Sequence, residues 1–260
     1  LCFCNVGGIM PAVTGARPVL LGDDELNGVI GMKPIHLLES DEKEKYTPIK
    51  DMRIDIGTSS KEESAKLVAP GDMVTFGGEY RDMGGECFCT KAIDDRAGCA
   101  MLLELIRGEL PYDCTFVFTT QEESGCVGAR AAAFTVAADI AIAVEGTTAS
   151  DLPDVTGSKR VCAVGGGPVI SHMDKGTIYD HKLYREAIKT AEAHGIPWQT
   201  KEGIYGGNES RSYQQTGAGS RVLAVSVPVR YIHSATSVAC RKDIAEMQKL
   251  LLALLEDFSK

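Results

Sequence analysis

Residues 91–98 read KAIDDRAG and residues 119–125 read TTQEESG. Each stretch carries an acidic doublet, Asp94–Asp95 and Glu122–Glu123, where an apolar extended run gives way to a turn. A helix is expected over Asp95–Arg107, burying Cys99, Leu102, Leu103 and Ile106 on one side. CTFVFTT, Cys114–Thr120, is mostly β-branched and aromatic and predicts a strand. The Ala-rich run Gly125–Ala137 predicts a helix, and DIAIAV, Asp139–Val144, a second buried strand ending at Glu145. Downstream, Tyr184–His194 reads as a helix stopped by Gly195 and Pro197, Val222–Val229 as a strand, and Lys242–Phe258 as a long amphipathic helix. Strands alternating with helices of about a dozen residues imply a layered α/β domain.

Residues 1–85 read differently. Short apolar runs (RPVLLG, GVIGM, DMVTF) alternate with Gly, Pro and Asp, which predicts an all-β region. One helix is expected at SSKEESAKLV, capped by Ser59 or Ser60 and burying Ala65, Leu67 and Val68. The charged run Ser40–Lys50 reads as a solvated loop. The chain opens LCFCNVGG, strand-like where termini are usually polar and loose, so natural sequence is expected upstream of Leu1.

Composition narrows the function classes. The 260 residues are 44% hydrophobic and 24% charged, which is ordinary for a globular protein with a sizeable core. A net charge of -9 without a basic block argues against nucleic-acid binding. No apolar run approaches the ~20 residues of a membrane helix, and no signal peptide opens the chain. Nine cysteines, an odd number lying mostly in apolar segments, read as reduced cytosolic thiols. The pairs Cys2/Cys4 and Cys87/Cys89 lack Cys-x-x-Cys spacing, so buried small residues are the expectation over a soft-metal site.

The acids form the chemical signal. Asp94, Asp95, Glu122, Glu123 and Glu145, with His233 in PVRYIHS, all fall at expected strand ends, where α/β sheets bind ligands. Complementing a helix dipole explains Asp95 or Glu123 singly. It does not explain two doublets, a strand-end Glu and a His together. Carboxylates and an imidazole converging without an Arg cluster suit a divalent metal, although Arg96 could neutralise one acid.

KAIDDRAG, QEESGCVGAR, AVEGTTASDLP, GGGPVISHMD, GIPWQTKE, GGNES and PVRYIHS occur in that order. Together they resemble the tetrahedral (TET) aminopeptidases of metallopeptidase family 42, some of whose members are described as glutamyl aminopeptidases or as endoglucanase-like. The resemblance spans essentially the whole chain. It implies a phosphorylase/hydrolase-like layered α/β catalytic domain over residues 86–260. Residues 1–85, with VGGIMP, GVIGMKPIHLL, DIGTSSKEE and APGD, resemble that family's inserted β-barrel (PDZ-like) dimerisation domain. Two divalent ions per subunit, Zn or Co with Mn as an option, are implied. Asp94 resembles the aspartate bridging both, often followed by a cis peptide. Glu123 and His233 resemble the other ligands of one ion, and Glu145 the terminal carboxylate of the second, where many members carry Asp. Glu122 resembles the general base; Asp95 is expected either to orient the ligands from behind or to serve the helix start. Gly207, Asn208 and Glu209 fall in the loop near the substrate cleft, with Glu209 where Asp is usual.

The resemblance implies that the remaining histidine ligand comes from a His-x-Asp segment upstream of the insert; that segment and the N-terminal part of the catalytic domain are expected before Leu1, since His172 in ISHMD does not fall at a ligand position. Among His36, His172, His181, His194 and His233, only His233 matches a ligand position. The expected protein is a cytosolic, dimer-based, dodecameric aminopeptidase acting on short peptides. The alternatives are a non-catalytic assembly subunit of the same fold and a related metal-dependent deacylase or carboxypeptidase.

Overall fold

The computed structural model describes residues 1–258. The chain divides into two compact units, one holding Leu1–Tyr80 with His233–Thr236, the other Arg81–Ile232 and the chain from Ser237 onward.

In the first unit, strands β1 (Pro18–Leu21), β2 (Leu26–Gly31), β3 (Arg53–Asp55) and β4 (Val74–Phe76) form an antiparallel sheet in the order β3-β2-β1-β4. Alternation sets its buried face. Val19, Leu21, Ile30, Met52 and Ile54 make one core, with Leu1 and Phe3 packed against it. Cys2 and Cys4 consequently face outward and are exposed, contrary to the expectation of buried thiols. Helix α1 (Lys61–Ser64) starts where expected. Ser60 accepts from the Glu63 N–H at 3.1 Å, while Glu63 returns to the Ser59 N–H at 2.8 Å. It is a single turn, too short to present a helical stripe, so Ala65 and Leu67 stay exposed and only Val68 joins the core.

The second unit opens with β5 (Arg81–Gly84) and β6 (Cys87–Thr90), then α2 (Ile93–Arg107), α3 (Val127–Val136), β7 (Ile140–Thr148), β8 (Val169–Ile170), α4 (His181–Ala193), β9 (Gln199–Thr200), α5 (Ser210–Gln215), β10 (Arg221–Val229), β11 (Ser237–Cys240) and α6 (Arg241–Phe258). The main sheet has the order β7-β10-β8-β9, and a smaller one β11-β6-β5. β10 is buried along nearly its whole length because strands flank it on both sides, parallel β7 and antiparallel β8. Leu223, Val225, Val227 and Val229 share a core with Met101 and Leu105 of α2, Leu183 and Ala187 of α4, and Met247, Leu250 and Leu254 of α6. Val222 and Ala224 pack on the other face with Tyr179, Ala141 and Ala143.

Three local expectations change. The buried stripe of α2 is Ala97, Gly98, Met101 and Leu105, whereas Cys99, Leu103 and Ile106 are exposed. The helix is turned so that Gly98 meets β7: a Cβ there would overlap the Val144 carbonyl oxygen. Cys114–Thr120 is not a strand, because no described strand pairs with it and β propensity does not substitute for a ladder partner. β7 runs on to Thr148, so Glu145 lies within the strand rather than at its end, in register with Ser226.

Candidate metal centre

Four segments of the second unit bring carboxylates together. The first is the entry to α2. Ala92 is left-handed at φ +52, the Asp94–Asp95 peptide is cis, and both aspartates depart from helical geometry. Asp94 accepts from the Gly146 N–H of β7 at 3.1 Å. A Cβ on Gly146 would sit 2.9 Å from that of Asp94, so glycine is what lets the aspartate lie against the strand. Asp95 turns back and accepts from the Gly98 N–H at 2.9 Å.

β7 supplies Glu145. Ile140, Ile142 and Val144 face the core of α2 and α6, and Ala141, Ala143 and Glu145 alternate onto the opposite face. There the Asn208 side-chain amide donates to Glu145 Oε1 at 2.6 Å. Glu122 and Glu123 lie on the exposed turn before α3, where the Cys126 thiol donates weakly to Glu122 Oε1 at 3.6 Å. Glu209, before α5, accepts from the Thr119 hydroxyl.

These acids feel one another. Asp95 is pushed up to about 8, by burial first and then by the charge of Asp94. Glu145 is held well above the usual carboxylate range by desolvation and then by Asp94, with Asn208 and Lys201 opposing. Glu122 is raised by desolvation and then by Glu123 and Asp94, although the residue as a whole is solvent-open. Glu209 adds to the repulsion on both Asp95 and Glu122.

Among the described residues no three His, Cys, Asp or Glu side chains are closed to coordinating distance. The donor chemistry nevertheless fits a divalent cation, since the mutual repulsion of the carboxylates is what such a charge relieves. Orphaned polar atoms point the same way. The hydroxyl of Ser226, in register with Glu145, and that of Ser210, two residues from Asn208, are buried without a protein partner.

Of the residues singled out in the sequence, Asp94, Asp95, Glu122 and Glu145 converge. Glu123 follows Glu122 on the turn. Asn208 is buried against Glu145, and Gly207 is exposed. His233 belongs with the first unit, left-handed at φ +59, its Nδ1 3.2 Å from the Gly8 carbonyl oxygen. Sequence reading missed Tyr179 and Asp174, which stand behind Asn208. An isolated Tyr and Asp carry no spacing that marks them. Lys201, a buried side chain whose charge opposes the rise at Glu145, was missed likewise.

The second unit thus carries a cluster of mutually repelling carboxylates beside its parallel strand pair. Residues 1–250 match the family model described as M42 glutamyl aminopeptidase. The chain belongs to that family of hydrolases. It is 30% identical over 259 residues to the lysyl aminopeptidase of Pyrococcus furiosus, covering 97% of this chain and 73% of that protein. Aminopeptidase APDkam598 from the archaeon Desulfurococcus kamchatkensis superposes with a TM-score of 0.91 at 30% identity, over 97% of this chain and 71% of that one. The TET1 peptidase of Pyrococcus horikoshii, which can assemble into a tetrahedron or a large octahedral shell, gives 0.84 at 34% identity, over 97% and 76%. Against relatives from Acetivibrio thermocellus and Escherichia coli, the chain spans 68% and 66% of their length. No described helix is long and apolar enough to cross a membrane.

Proposed function

We propose that the chain carries the catalytic residues of a dinuclear metal-dependent aminopeptidase that removes N-terminal residues from short peptides. The observation that supports this most is the convergence of Asp94, Asp95, Glu122 and Glu145, each of the last three held above its ordinary proton affinity. Asp94, Glu123 and His233 would hold one divalent ion, with Asp94 shared and Glu145 serving the second. Zn²⁺ or Co²⁺, with Mn²⁺ as an option, would supply an acidified water and an electrostatic sink for charge developing on the substrate carbonyl. Glu122 takes the proton of the attacking water and returns it to the leaving amine, a task suited to a carboxylate raised above its ordinary range by desolvation and left outside the ligand set. Asp95 holds the entry to α2 through the Gly98 N–H and so fixes the direction of Asp94.

Residues 1–85 form the dimerisation domain and residues 86–260 the catalytic domain of a cytoplasmic homo-oligomer, a dodecamer by likeness to the TET peptidases. Gly207, Asn208 and Glu209 border the substrate cleft in this reading.

The test is hydrolysis of aminoacyl anilides with added Co²⁺ or Zn²⁺, beside N-acetylated controls. Cleavage of free-amine substrates alone supports an aminopeptidase. Cleavage of the acetylated series instead points to a deacylase. Cation binding with no hydrolysis in either series points to a non-catalytic subunit.

A further inference from the structure

Behind Glu145 runs a single line of buried hydrogen bonds that the proposed chemistry does not use. Asp174, 2% exposed, accepts from the N–H groups of Gly176 at 2.7 Å and Thr177 at 2.8 Å. Its other oxygen accepts from the Tyr179 hydroxyl at 2.6 Å. The Tyr179 oxygen accepts from Asn208 Nδ2 at 2.8 Å, and the same amide nitrogen donates to Glu145 Oε1 at 2.6 Å. Asn208 Oδ1 accepts from the Ser210 N–H at 2.9 Å.

Donor and acceptor counting fixes the direction of the line. Because Asn208 Oδ1 faces an N–H, its amide nitrogen must face Tyr179 and Glu145. That nitrogen has two protons and spends one on each. The tyrosine oxygen therefore receives, and its own proton goes to Asp174. Asp174 is held as an acceptor by two backbone N–H groups, so nothing along the line can reverse. The terminus at Glu145 is always a donor. It binds one oxygen, Oε1, and leaves Oε2 for another partner.

We propose that Asn208, oriented by Tyr179 and Asp174, is a positioning residue that fixes Glu145 with one carboxylate oxygen presented to a divalent cation. This rests on the reading of Glu145 as a cation ligand. The surroundings fit a functional rather than a space-filling role. The buried side-chain atoms without a protein partner among the described residues are the hydroxyls of Thr177, Ser210 and Ser226. Thr177 and Ser210 donate their backbone N–H groups to Asp174 and Asn208, and Ser226 lies in register with Glu145. The members of the line are themselves all satisfied, and the orphaned hydroxyls border it, leaving polar atoms near Glu145 that the protein does not use.

The experiment titrates Co²⁺ into the 260-residue chain, following both heat and the visible absorption of the bound ion, for native protein, Asn208→Asp and Tyr179→Phe. Asn208→Asp keeps the shape and can still accept the Ser210 N–H, but puts an acceptor against Glu145. It should weaken Co²⁺ binding about 10- to 100-fold and shift the absorption band, the size of effect typical for partners that orient a ligand. Tyr179→Phe keeps the ring, removes the orienting oxygen, and should weaken binding by a smaller factor with unchanged circular dichroism. A purely structural network would lower the thermal midpoint of both variants while leaving Co²⁺ affinity and absorption unaltered, and that result overturns the proposal alone. Failure of the native chain to bind Co²⁺ overturns both this proposal and the metal-dependent reading beneath it.

Discussion

Gly98→Ala sets two physical rules against each other. In an ordinary helix interior the change gains about 1 kcal/mol, because alanine loses less backbone entropy than glycine. Here the new methyl would lie within overlap of the Val144 carbonyl oxygen and 2.6 Å from Asp95 Oδ1. The carbonyl belongs to β7, which is tied along its length to β10, so it cannot yield as a side-chain tip would. Overpacking of this kind costs about 1–3 kcal/mol. Displacing Asp95 also sacrifices its bond from the Gly98 N–H, worth about 0.5–1.5 kcal/mol because a carboxyl pushed up to about 8 is mostly neutral at pH 7. Setting the propensity gain against these gives a net destabilisation of about 0.5–3.5 kcal/mol. Urea unfolding followed by the single tryptophan, Trp198, reports the second unit, since that residue packs on its core. Ala100→Gly, on the exposed side of the same helix, is the control and should cost about 1 kcal/mol by propensity alone. A neutral or stabilising Gly98→Ala, with the control behaving normally, would refute the contact between α2 and β7.

Further outcomes are expected elsewhere. Glu122→Gln should retain divalent ions and lose turnover by about 10²- to 10⁴-fold, whereas His233→Ala should lower ion affinity; calorimetry beside an anilide assay separates the two. Asp243→Ala removes a fully buried carboxylate that accepts from the Gly165 N–H at 2.6 Å and the Gly167 N–H at 2.8 Å. Two stranded donors should cost about 2–5 kcal/mol in chemical denaturation, and a loss under about 1 kcal/mol would contradict the geometry. Asp180 caps α4 and pairs with Arg221 at 2.9 Å, which holds its carboxyl below the usual range, the Arg221 hydrogen bond first. A lowered folded value means that this stabilisation is present above the unfolded pKa of about 3.9 and is lost as pH falls through the folded one. Asp180→Ala should therefore cost about 1–2 kcal/mol at pH 7, and the gap in thermal midpoint from the native chain should narrow progressively as pH falls below about 4.

The alternating strands and helices of the second unit were legible because period-2 and 3.6-residue patterns survive in short windows. DIAIAV carried more than a buried strand. Its large residues fall on one face and its alanines on the other, and that alternation predicts the side Glu145 takes. The stripe of α2 was misread because Cys99, Leu103 and Ile106 are apolar enough to pass for a core face, while Gly98, which sets the rotation, contributes nothing to an apolar count. Cys114–Thr120 has strand composition without a strand, since a ladder is a property of two segments. A cap at Ser59 or Ser60 was readable locally, and the structure settles it at Ser60, with Glu63 returning to the Ser59 N–H.

By itself, then, the sequence determined which residue types were available for chemistry and most, though not all, of the segments that are extended or helical. Those follow from composition and near-neighbour periodicity. Only the tertiary structure decided that Asp94 rests on Gly146, that Asn208 turns its amide toward Glu145, and that Tyr179 and Asp174 stand behind it. Asp94 lies 52 residues from Gly146 and Glu145 lies 63 from Asn208. Hydrogen-bond direction across such separations depends on which strands pair and in which register, and no local pattern encodes it.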